Sequence, residues 1–200
     1  MVKPLPPFRR RQTELTDPRA LRALAHPLRM RLLGLLRFEG PLTATEAGRH
    51  LDQSPANISF HLRQLAKWGL VEEAGGGTGR RRPWQATSYF IGWPDVTTSP
   101  EMAAAEQELA RFIGRHQFAS LMRWLEAKPQ EPPLWQEAAA FGDTQMYLTS
   151  EELAELTARL RQLAEEFTRR TLSGQPPPEG SRLVTAMLYA FPHIAPDDDA

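Results

Sequence analysis

Apolar residues in the first third of the chain recur at three- and four-residue intervals, between recognisable start and stop signals. This spacing puts the apolar side chains on one face of a helix, so the pattern predicts several short amphipathic helices. The first begins at Asp17 and Pro18. Pro27 interrupts it, because proline disfavours helix in the residue that precedes it. A second helix follows and ends near Gly40.

Two further helices are predicted on either side of a tight turn. Thr43 followed by Glu46 has the pattern of a capping box, in which the two side chains satisfy backbone N–H groups at the helix start. This third helix ends near residue 51, and a fourth begins at Ser54. The apolar stripe of the fourth helix consists of Ile58, Leu62 and Leu65. Two capped helices separated by a short turn predict a helix-turn-helix unit.

A two-stranded hairpin is predicted directly after this unit. Residues 70–72 form a first strand, and residues 84–91 form a second strand that is rich in aromatic and β-branched side chains. Glycine occupies four of the five positions 75–79, which therefore form a loop, because glycine holds regular structure only at a high entropic cost. The loop is followed by Arg80, Arg81 and Arg82. A helix-turn-helix followed by a hairpin with a basic tip predicts a winged helix.

The second half of the chain predicts a long helix and then a mixed α+β region. The inward residues expected of the long helix are Leu109, Phe112, Ile113, Ala119, Met122 and Leu125. Residues 143–149 and 183–191 are predicted as strands. A helix that begins after Thr149 carries an apolar stripe consisting of Leu153, Leu156, Leu160, Leu163 and Phe167. We expect this stripe to pack on a sheet formed by those strands rather than to form a coiled coil.

The predicted fold class is mainly α with a small β content, and four segments are expected. The first two are a flexible basic arm at residues 1–16 and a winged helix-turn-helix domain at residues 17–92. A long helix at residues 99–128 is expected to mediate dimerisation. A C-terminal α+β or helical extension at residues 134–194 is expected to bind an effector or to contribute to the dimer.

The net charge of the whole chain is zero, but its two halves have opposite charges. Residues 1–92 carry 15 Lys and Arg against 7 Asp and Glu, a net charge of +8, and residues 93–200 carry 9 against 17, a net charge of −8. A basic half attracts phosphates, whereas an acidic half repels them. The charge distribution therefore indicates that the first half contacts nucleic acid.

The composition excludes several other classes of function. The chain has no cysteine, which excludes disulfides, thiolate metal sites and cysteine nucleophiles. Its five histidines are scattered, so we expect no metal and no cofactor. No nucleophile motif, phosphate-binding loop or dinucleotide fingerprint occurs, so we expect no enzyme. The absence of a long apolar run excludes a membrane span, and we expect a cytoplasmic protein.

The face of the fourth helix opposite its apolar stripe carries polar and basic side chains. Asparagine, glutamine and arginine make paired hydrogen bonds with base edges in the major groove, whereas serine and a helix N-terminus suit phosphate. The expected DNA-binding residues are Ser54, Ala56, Asn57, Ser59, Phe60, His61, Arg63, Gln64 and Lys67, together with Arg80, Arg81 and Arg82 at the hairpin tip. A merely solvated helix face is the alternative, which the capped helix before it and the basic hairpin after it disfavour.

Two stretches resemble the winged-helix repressors of the ArsR type. They are residues 21–33, LRALAHPLRMRLL, and residues 54–71, SPANISFHLRQLAKWGLV. The resemblance covers residues 17–92 and implies a homodimer that binds double-stranded operator DNA and usually represses transcription, with His61 at the edge of the DNA-facing surface. The C-terminal half resembles the extensions of longer actinobacterial relatives. Metal-sensing members often place a cysteine pair in the helix before the reading helix, and this chain has none there.

We therefore expect a homodimeric transcription regulator, most often a repressor in this family, that reads an inverted-repeat operator. The helix at residues 55–67 is expected in the major groove, and the hairpin at residues 75–82 on the minor groove or backbone. Two alternatives stay open. One is a winged helix that docks a protein partner through Phe60. The other is a regulator that senses an unidentified small molecule in a C-terminal pocket with aromatic walls.

Overall fold

The computed structural model describes residues 10–77, 82–94 and 96–194. Its elements are β1 (Arg10–Glu14), α1 (Pro18–Leu24), α2 (Pro27–Glu39), α3 (Ala44–Leu51), α4 (Pro55–Ala66), β2 (Val71–Glu73), β3 (Trp84–Ala86), β4 (Ser88–Gly92), α5 (Pro100–Ala127), α6 (Pro133–Ala138) and α7 (Ser150–Leu172). The fold is mainly helical with few strands, which confirms the predicted fold class. The chain forms two compact units, one within Lys3–Trp124 and one within Leu125–Ala200.

Helices α1 to α4 pack their apolar faces into one core, as the helical spacing predicted. The largest buried side chains of this core are Leu21, Leu24, Leu32, Leu33, Leu36, Ile58, Leu62, Leu65, Leu70 and Leu109. Both predicted caps are present. Thr43 and Glu46 form the complete capping box of α3, and the Ser54 hydroxyl accepts a hydrogen bond from the backbone N–H of Asn57 at 3.2 Å. The caps fix where α3 and α4 begin.

The turn between α3 and α4 is held tight by a close backbone approach. A Cβ atom at Gly48 would lie 2.5 Å from the carbonyl oxygen of Gln53, so no larger residue fits there without movement of the backbone. Asp52 follows α3 in the left-handed conformation, with φ of 54°. The backbone N–H of Gln53 donates to the Gly48 carbonyl oxygen at 2.9 Å and closes the turn. This turn sets the angle at which α4 leaves the core.

The wing consists of the antiparallel pair β2 and β3, with Val71 opposite Ala86 and Glu73 opposite Trp84. Leu42, which precedes α3, adds a third short segment, because it exchanges two backbone hydrogen bonds with Trp84 at 2.8 and 3.0 Å. The wing is thereby attached to the helix-turn-helix unit. The predicted basic tip at Arg80 and Arg81 lies outside the described residues.

The strand predicted over residues 84–91 is interrupted at Thr87. Its hydroxyl donates to the Gly69 carbonyl oxygen at 2.6 Å, and its backbone N–H donates to the Leu70 carbonyl oxygen at 3.2 Å. These bonds turn the backbone toward the end of α4, so the chain leaves the wing and continues as β4. A single predicted strand is therefore two strands in two different sheets.

β1 pairs in parallel with β4, so the predicted flexible arm at residues 1–16 is wrong for residues 10–15. The Thr13 hydroxyl donates to the Ser88 hydroxyl oxygen across this pair at 2.8 Å, and Leu15 is only 3% exposed. The segment is otherwise polar, and Thr13 and Ser88 are 75 positions apart in the chain. A local hydrophobic pattern carries little information about such a pairing. Residues 1–9 lie outside the described residues.

The long helix is confirmed as α5, and the Ser99 hydroxyl caps it by accepting from the backbone N–H of Met102 at 3.3 Å. Its first turns are buried through Met102, Ala105 and Leu109, and the described core covers the helix only as far as Ile113. The prediction that Ala119 and Met122 point inward is wrong. Ala119 is exposed and Met122 is 39% exposed.

The C-terminal unit is helical, and the two strands predicted in it are wrong. Residues 143–149 and 183–191 adopt no strand, and they are both described in full. An isolated extended segment gains nothing from alternation unless another strand pairs with it. The apolar stripe of α7 therefore has no sheet on which to pack. Within the described residues every helix is too short or too polar to cross a membrane.

Candidate nucleic-acid interface

The position of α4 follows from its buried face. Ile58, Leu62 and Leu65 are each 0% exposed and anchor the helix in the core. Because residues three and four apart share a face, the opposite side of α4 must point away from the core. The buried anchor and the cap at Ser54 together fix both the rotation and the starting point of this exposed side.

The exposed side of α4 brings together most of the residues predicted to bind DNA. Its exposed members are Ser54, Ala56, Phe60, Arg63 and Lys67, and its half-buried members are Asn57, Ser59 and Gln64. We call these eight residues the α4 face. The Asn57 side-chain amide nitrogen donates to the Gln53 side-chain oxygen at 2.8 Å. Gln53, which the sequence reasoning missed, thereby fixes the orientation of an amide on this surface.

His61 does not belong to the α4 face, so its predicted place at the edge of the DNA-facing surface is wrong. It is 6% exposed, and its ring centroid lies 4.7 Å from that of His26. Arg29 Nε donates to His61 Nδ1 at 3.4 Å. The sequence contained the signal for this burial, because His61 lies three residues after Ile58 and four before Leu65 and therefore shares their face.

The surroundings of the two histidines favour their neutral form. The backbone N–H of Leu28 donates to His26 Nδ1 at 3.2 Å, so both imidazoles accept a hydrogen bond at Nδ1. Burial and then the nearby Arg29 guanidinium lower the pKa of His26. Burial lowers the pKa of His61, and His26 and Arg29 lower it further. A neutral imidazole costs less to bury beside an arginine than an imidazolium does.

The wing places one of the predicted arginines beside a carboxylate. Arg82 Nη1 donates to Glu73 Oε2 at 2.8 Å, and both side chains are about half exposed, at 52% and 44%. One strand position away, the Gln85 side chain donates to Glu72 Oε1 at 3.0 Å. Of the three predicted arginines at the hairpin tip, Arg82 is therefore on the described wing, whereas Arg80 and Arg81 are outside the described residues.

An open groove lies between α4 and the wing. Ser59 and Arg63 form its α4 side, Glu73 and Arg82 form its wing side, and Thr45 closes the end at the start of α3. Sequence reasoning identified Ser59, Arg63 and Arg82 but missed Thr45 and Glu73. Glu73 could have been identified from the hairpin itself. It lies at the end of the first strand, which pairs with the strand that begins just after Arg82. The groove therefore holds two guanidinium groups, those of Arg63 and Arg82.

A second basic cluster lies where α4 ends. Lys67 Nζ is 5.3 Å from the centroid of the Trp68 ring, and the Arg19 guanidinium carbon is 5.7 Å from it. Cations at this distance are attracted to an aromatic face. Arg19 also pairs with Asp17 at 2.7 Å, which raises the pKa of Arg19 and lowers that of Asp17. The cluster extends the basic surface from α4 to the start of α1.

The side chains that metals prefer are not clustered. Across residues 10–77, 82–94 and 96–194, no three His, Asp or Glu side chains lie close enough to hold a metal ion. His116 of α5 stacks on Phe112, with ring centroids 6.3 Å apart.

Residues 24–74 match a family described as a helix-turn-helix domain. A MarR family regulator from Neisseria meningitidis superposes with a TM-score of 0.32 at 20% identity, over 74% of this chain and 80% of that one. The YusO protein from Bacillus subtilis superposes with a TM-score of 0.31 at 16% identity, over 74% and 83%. A mutant of ZitR from Lactococcus lactis in apo form superposes with a TM-score of 0.29 at 18% identity, over 70% and 80%.

The chain matches no curated protein by sequence. The matched domain and the described fold nevertheless define the class. The chain contains a winged helix-turn-helix domain, formed by α1 to α4 and the β2–β3 wing. This class and the exposed polar α4 face support a DNA-binding transcriptional regulator.

Proposed function

We propose that this protein regulates transcription by binding a specific operator in double-stranded DNA, with the α4 face in the major groove. The observation that carries the proposal is the arrangement of α4. One face is anchored by three fully buried side chains, and the opposite face presents Asn57, Arg63 and Gln64. An α-helix that projects such side chains fits the width of the major groove, where these residue types pair with base edges.

The wing supports the same docking from the other side of the groove. Arg82 stands across from Arg63, and the sequence adds Arg80 and Arg81 at the tip. When α4 lies in a major groove, a wing beside it meets the neighbouring backbone or minor groove. The net charge of +8 over residues 1–92 favours this contact with phosphates.

The protein acts in this proposal as a homodimer on an inverted repeat. The second half of α5 offers an apolar surface for the dimer contact, because Phe118 is 62% exposed and Met122 is 39% exposed. Two α4 helices related by a two-fold axis enter successive major grooves about 34 Å apart on one side of the duplex. The proposal includes repression, which the resemblance to ArsR-type proteins implies, together with a cytoplasmic location and a bacterial source.

A second candidate function is the docking of a protein partner by the same winged helix. The specific observation in its favour is Phe60, which is 48% exposed and lies edge-on to His61 with ring centroids 5.2 Å apart. Exposed aromatic side chains are frequent anchors of protein interfaces. In the first proposal the same ring contacts a thymine methyl group. No catalytic activity is proposed.

Binding to a mixed-sequence duplex over a range of salt concentrations tests the proposal. A DNA-binding protein with several phosphate contacts loses affinity steeply, by orders of magnitude, between about 50 and about 200 mM salt. The Arg82→Ala variant should flatten this dependence by about one unit of the slope. Arg161→Ala, which removes the same charge from an exposed position of α7 away from its apolar stripe, is the matched control and should bind like the parent. Absence of duplex binding at low salt would leave protein docking as the function.

A further inference from the structure

An incompletely covered apolar stripe of the second unit lies on α7. The stripe formed by Leu153, Leu156, Leu160, Leu163 and Phe167 repeats at intervals of three and four residues along this 23-residue helix. None of the α7 residues is buried, and Leu163 and Phe167 are 56% and 62% exposed. A capping box between Thr149 and Glu152 stabilises the N-terminus of the helix. Leu153, Leu156 and Leu160 are half-buried, so the stripe is covered only in part. A well-formed amphipathic helix with a partly exposed stripe can bury the rest against a further partner surface.

The charges along α7 are unevenly distributed between its two ends. Residues 150–158 carry three glutamates and no cation, whereas residues 159–172 carry four arginines and two glutamates. The net charges of the two parts are therefore −3 and +2. Arg159 and Glu155 pair with each other within the helix. Glu151 and Glu152 lie at the acidic end, and Arg169 and Arg170 lie at the basic end. Such a helix is electrostatically complementary to a reversed copy of itself.

We propose that α7 pairs in antiparallel orientation with α7 of a second copy of this chain. When Leu160 of one helix lies opposite Leu163 of the other, Leu156 lies opposite Phe167, and the two helices overlap along nearly their whole length. In this register Arg159, which flanks the stripe, faces Glu166 of the other copy. The apolar stripe and the flanking charges therefore favour the same alignment.

A parallel pair of α7 helices lacks these advantages. The acidic ends of the two copies would lie side by side, and so would the basic ends. The residues that would then face Glu152, Arg159 and Glu166 across the seam are Thr157, Ala164 and Thr171, none of which is charged. Like charges close together also oppose association. The charge pattern therefore favours the antiparallel over the parallel orientation of two α7 helices.

The proposed pairing is one contact of a dimer rather than a free-standing coiled coil. Five apolar positions span about two heptads, which is shorter than the three or four heptads typical of an independent coiled coil. The pairing involves no residue of the α4 face, so it does not depend on the proposed DNA binding. Its test can be made without DNA.

Cross-linking of the full chain tests the orientation directly, because the chain has no cysteine of its own. In the antiparallel register Leu153 of one copy faces Arg170 of the other. Leu153→Cys and Arg170→Cys variants with different tags are therefore co-expressed, oxidised mildly and compared with each variant alone. Ala158→Cys, on the opposite side of α7 from the stripe, sets the background of collisional disulfides.

The expected result is a disulfide-linked heterodimer of the two variants at about ten times the background, with little cross-linking of either variant alone. Self-cross-linking of Leu153→Cys and of Arg170→Cys would instead show a parallel pair and overturn the proposal. Cross-linking no greater than that of Ala158→Cys would also overturn it, and would indicate that another surface, such as the apolar segment at residues 183–191, covers the stripe.

Discussion

Arg82 of the wing forms an ion pair with Glu73 of the neighbouring strand, with 2.8 Å between the guanidinium nitrogen and the carboxylate oxygen. The pair lies in the groove between the wing and α4, on the side opposite Arg63. A carboxylate in this position competes with a DNA phosphate for the same guanidinium. Glu73 is therefore expected to reduce indiscriminate binding of the wing to phosphates.

Replacing Glu73 by glutamine should strengthen binding to duplexes of any sequence. The Glu73→Gln variant keeps the shape of the side chain but removes its charge, so Arg82 loses an intramolecular competitor. We expect the affinity for a mixed-sequence duplex to rise about two- to fivefold at low salt, and discrimination between operator and other DNA to fall. Fluorescence anisotropy with both duplexes measures this change. A loss of affinity equal to that of Arg82→Ala would show that Glu73 positions Arg82 instead.

Removing the Arg63 side chain should weaken operator binding more than binding to other DNA. Arg63 lies on the α4 face and, in the proposed docking, reaches base edges. Arg63→Ala should weaken specific binding by about 1–3 kcal/mol, with a smaller effect on a mixed-sequence duplex. The operator is first obtained by selection from random duplexes with the parent protein. Equal losses on both kinds of DNA would assign Arg63 to phosphate contact alone and contradict base reading by this residue.

Acidification should destabilise the winged helix through His26 and His61. Burial lowers the pKa of both imidazoles, so the unfolded chain binds more protons than the folded chain below the ordinary value of 6.5. The free energy of unfolding therefore has its full value above pH 6.5. It decreases as the pH falls from there toward the lowered pKa values of the folded protein. Urea denaturation at about pH 7.5 and about pH 5.5 measures the difference.

The variant His61→Gln isolates the contribution of one imidazole to this pH dependence. Glutamine cannot titrate, so the difference in unfolding free energy between the two pH values should become smaller than in the parent. His50→Gln, on the exposed side of α3, is the matched control and should keep the parental difference. An unchanged pH dependence in His61→Gln would refute the role assigned to this side chain.

Two glycines should respond to alanine in opposite ways. Gly48→Ala should cost about 1–3 kcal/mol of stability, because the new Cβ would lie 2.5 Å from the Gln53 carbonyl oxygen. Gly34→Ala, inside α2, meets nothing within 4 Å and should stabilise the protein by up to about 1 kcal/mol. Denaturation midpoints of the two variants test this directly. Equal effects would mean that the α3–α4 turn is looser than described.

The elements that the sequence predicted well are those with local signals. α1 to α4 have caps, prolines and apolar stripes within a few residues of one another, so their bounds followed from spacing alone. β1 did not, because its pairing with β4 connects residues far apart in the chain and most of its side chains are polar. The strand predicted over residues 84–91 ends at Thr87 because the Thr87 hydroxyl donates to the Gly69 carbonyl oxygen. No local sequence pattern indicates this contact.

The candidate site shows the same division between local and tertiary information. The rotation of α4 was fixed by Ile58, Leu62 and Leu65, and the exposed polar residues followed from it. The same spacing places His61 in the core, whereas the resemblance to the ArsR type implied a place at the edge of the DNA-facing surface. The helical geometry was the better guide. Glu73 joined the site only through strand pairing. In the C-terminal unit, alternation predicted strands at residues 143–149 and 183–191 for which the described structure supplies no pairing strand.

Site-directed cleavage of DNA tests the central claim that the α4 face enters the major groove. A Ser59→Cys variant of the cysteine-free chain carries a tethered iron chelate that cleaves nearby DNA, and Ala158→Cys in α7 carries the same group as a control. The account predicts strong cleavage by the Ser59 derivative at two places in the selected operator, about one helical turn apart, and only background cleavage by the α7 derivative. Background cleavage from both derivatives on bound operator would contradict it.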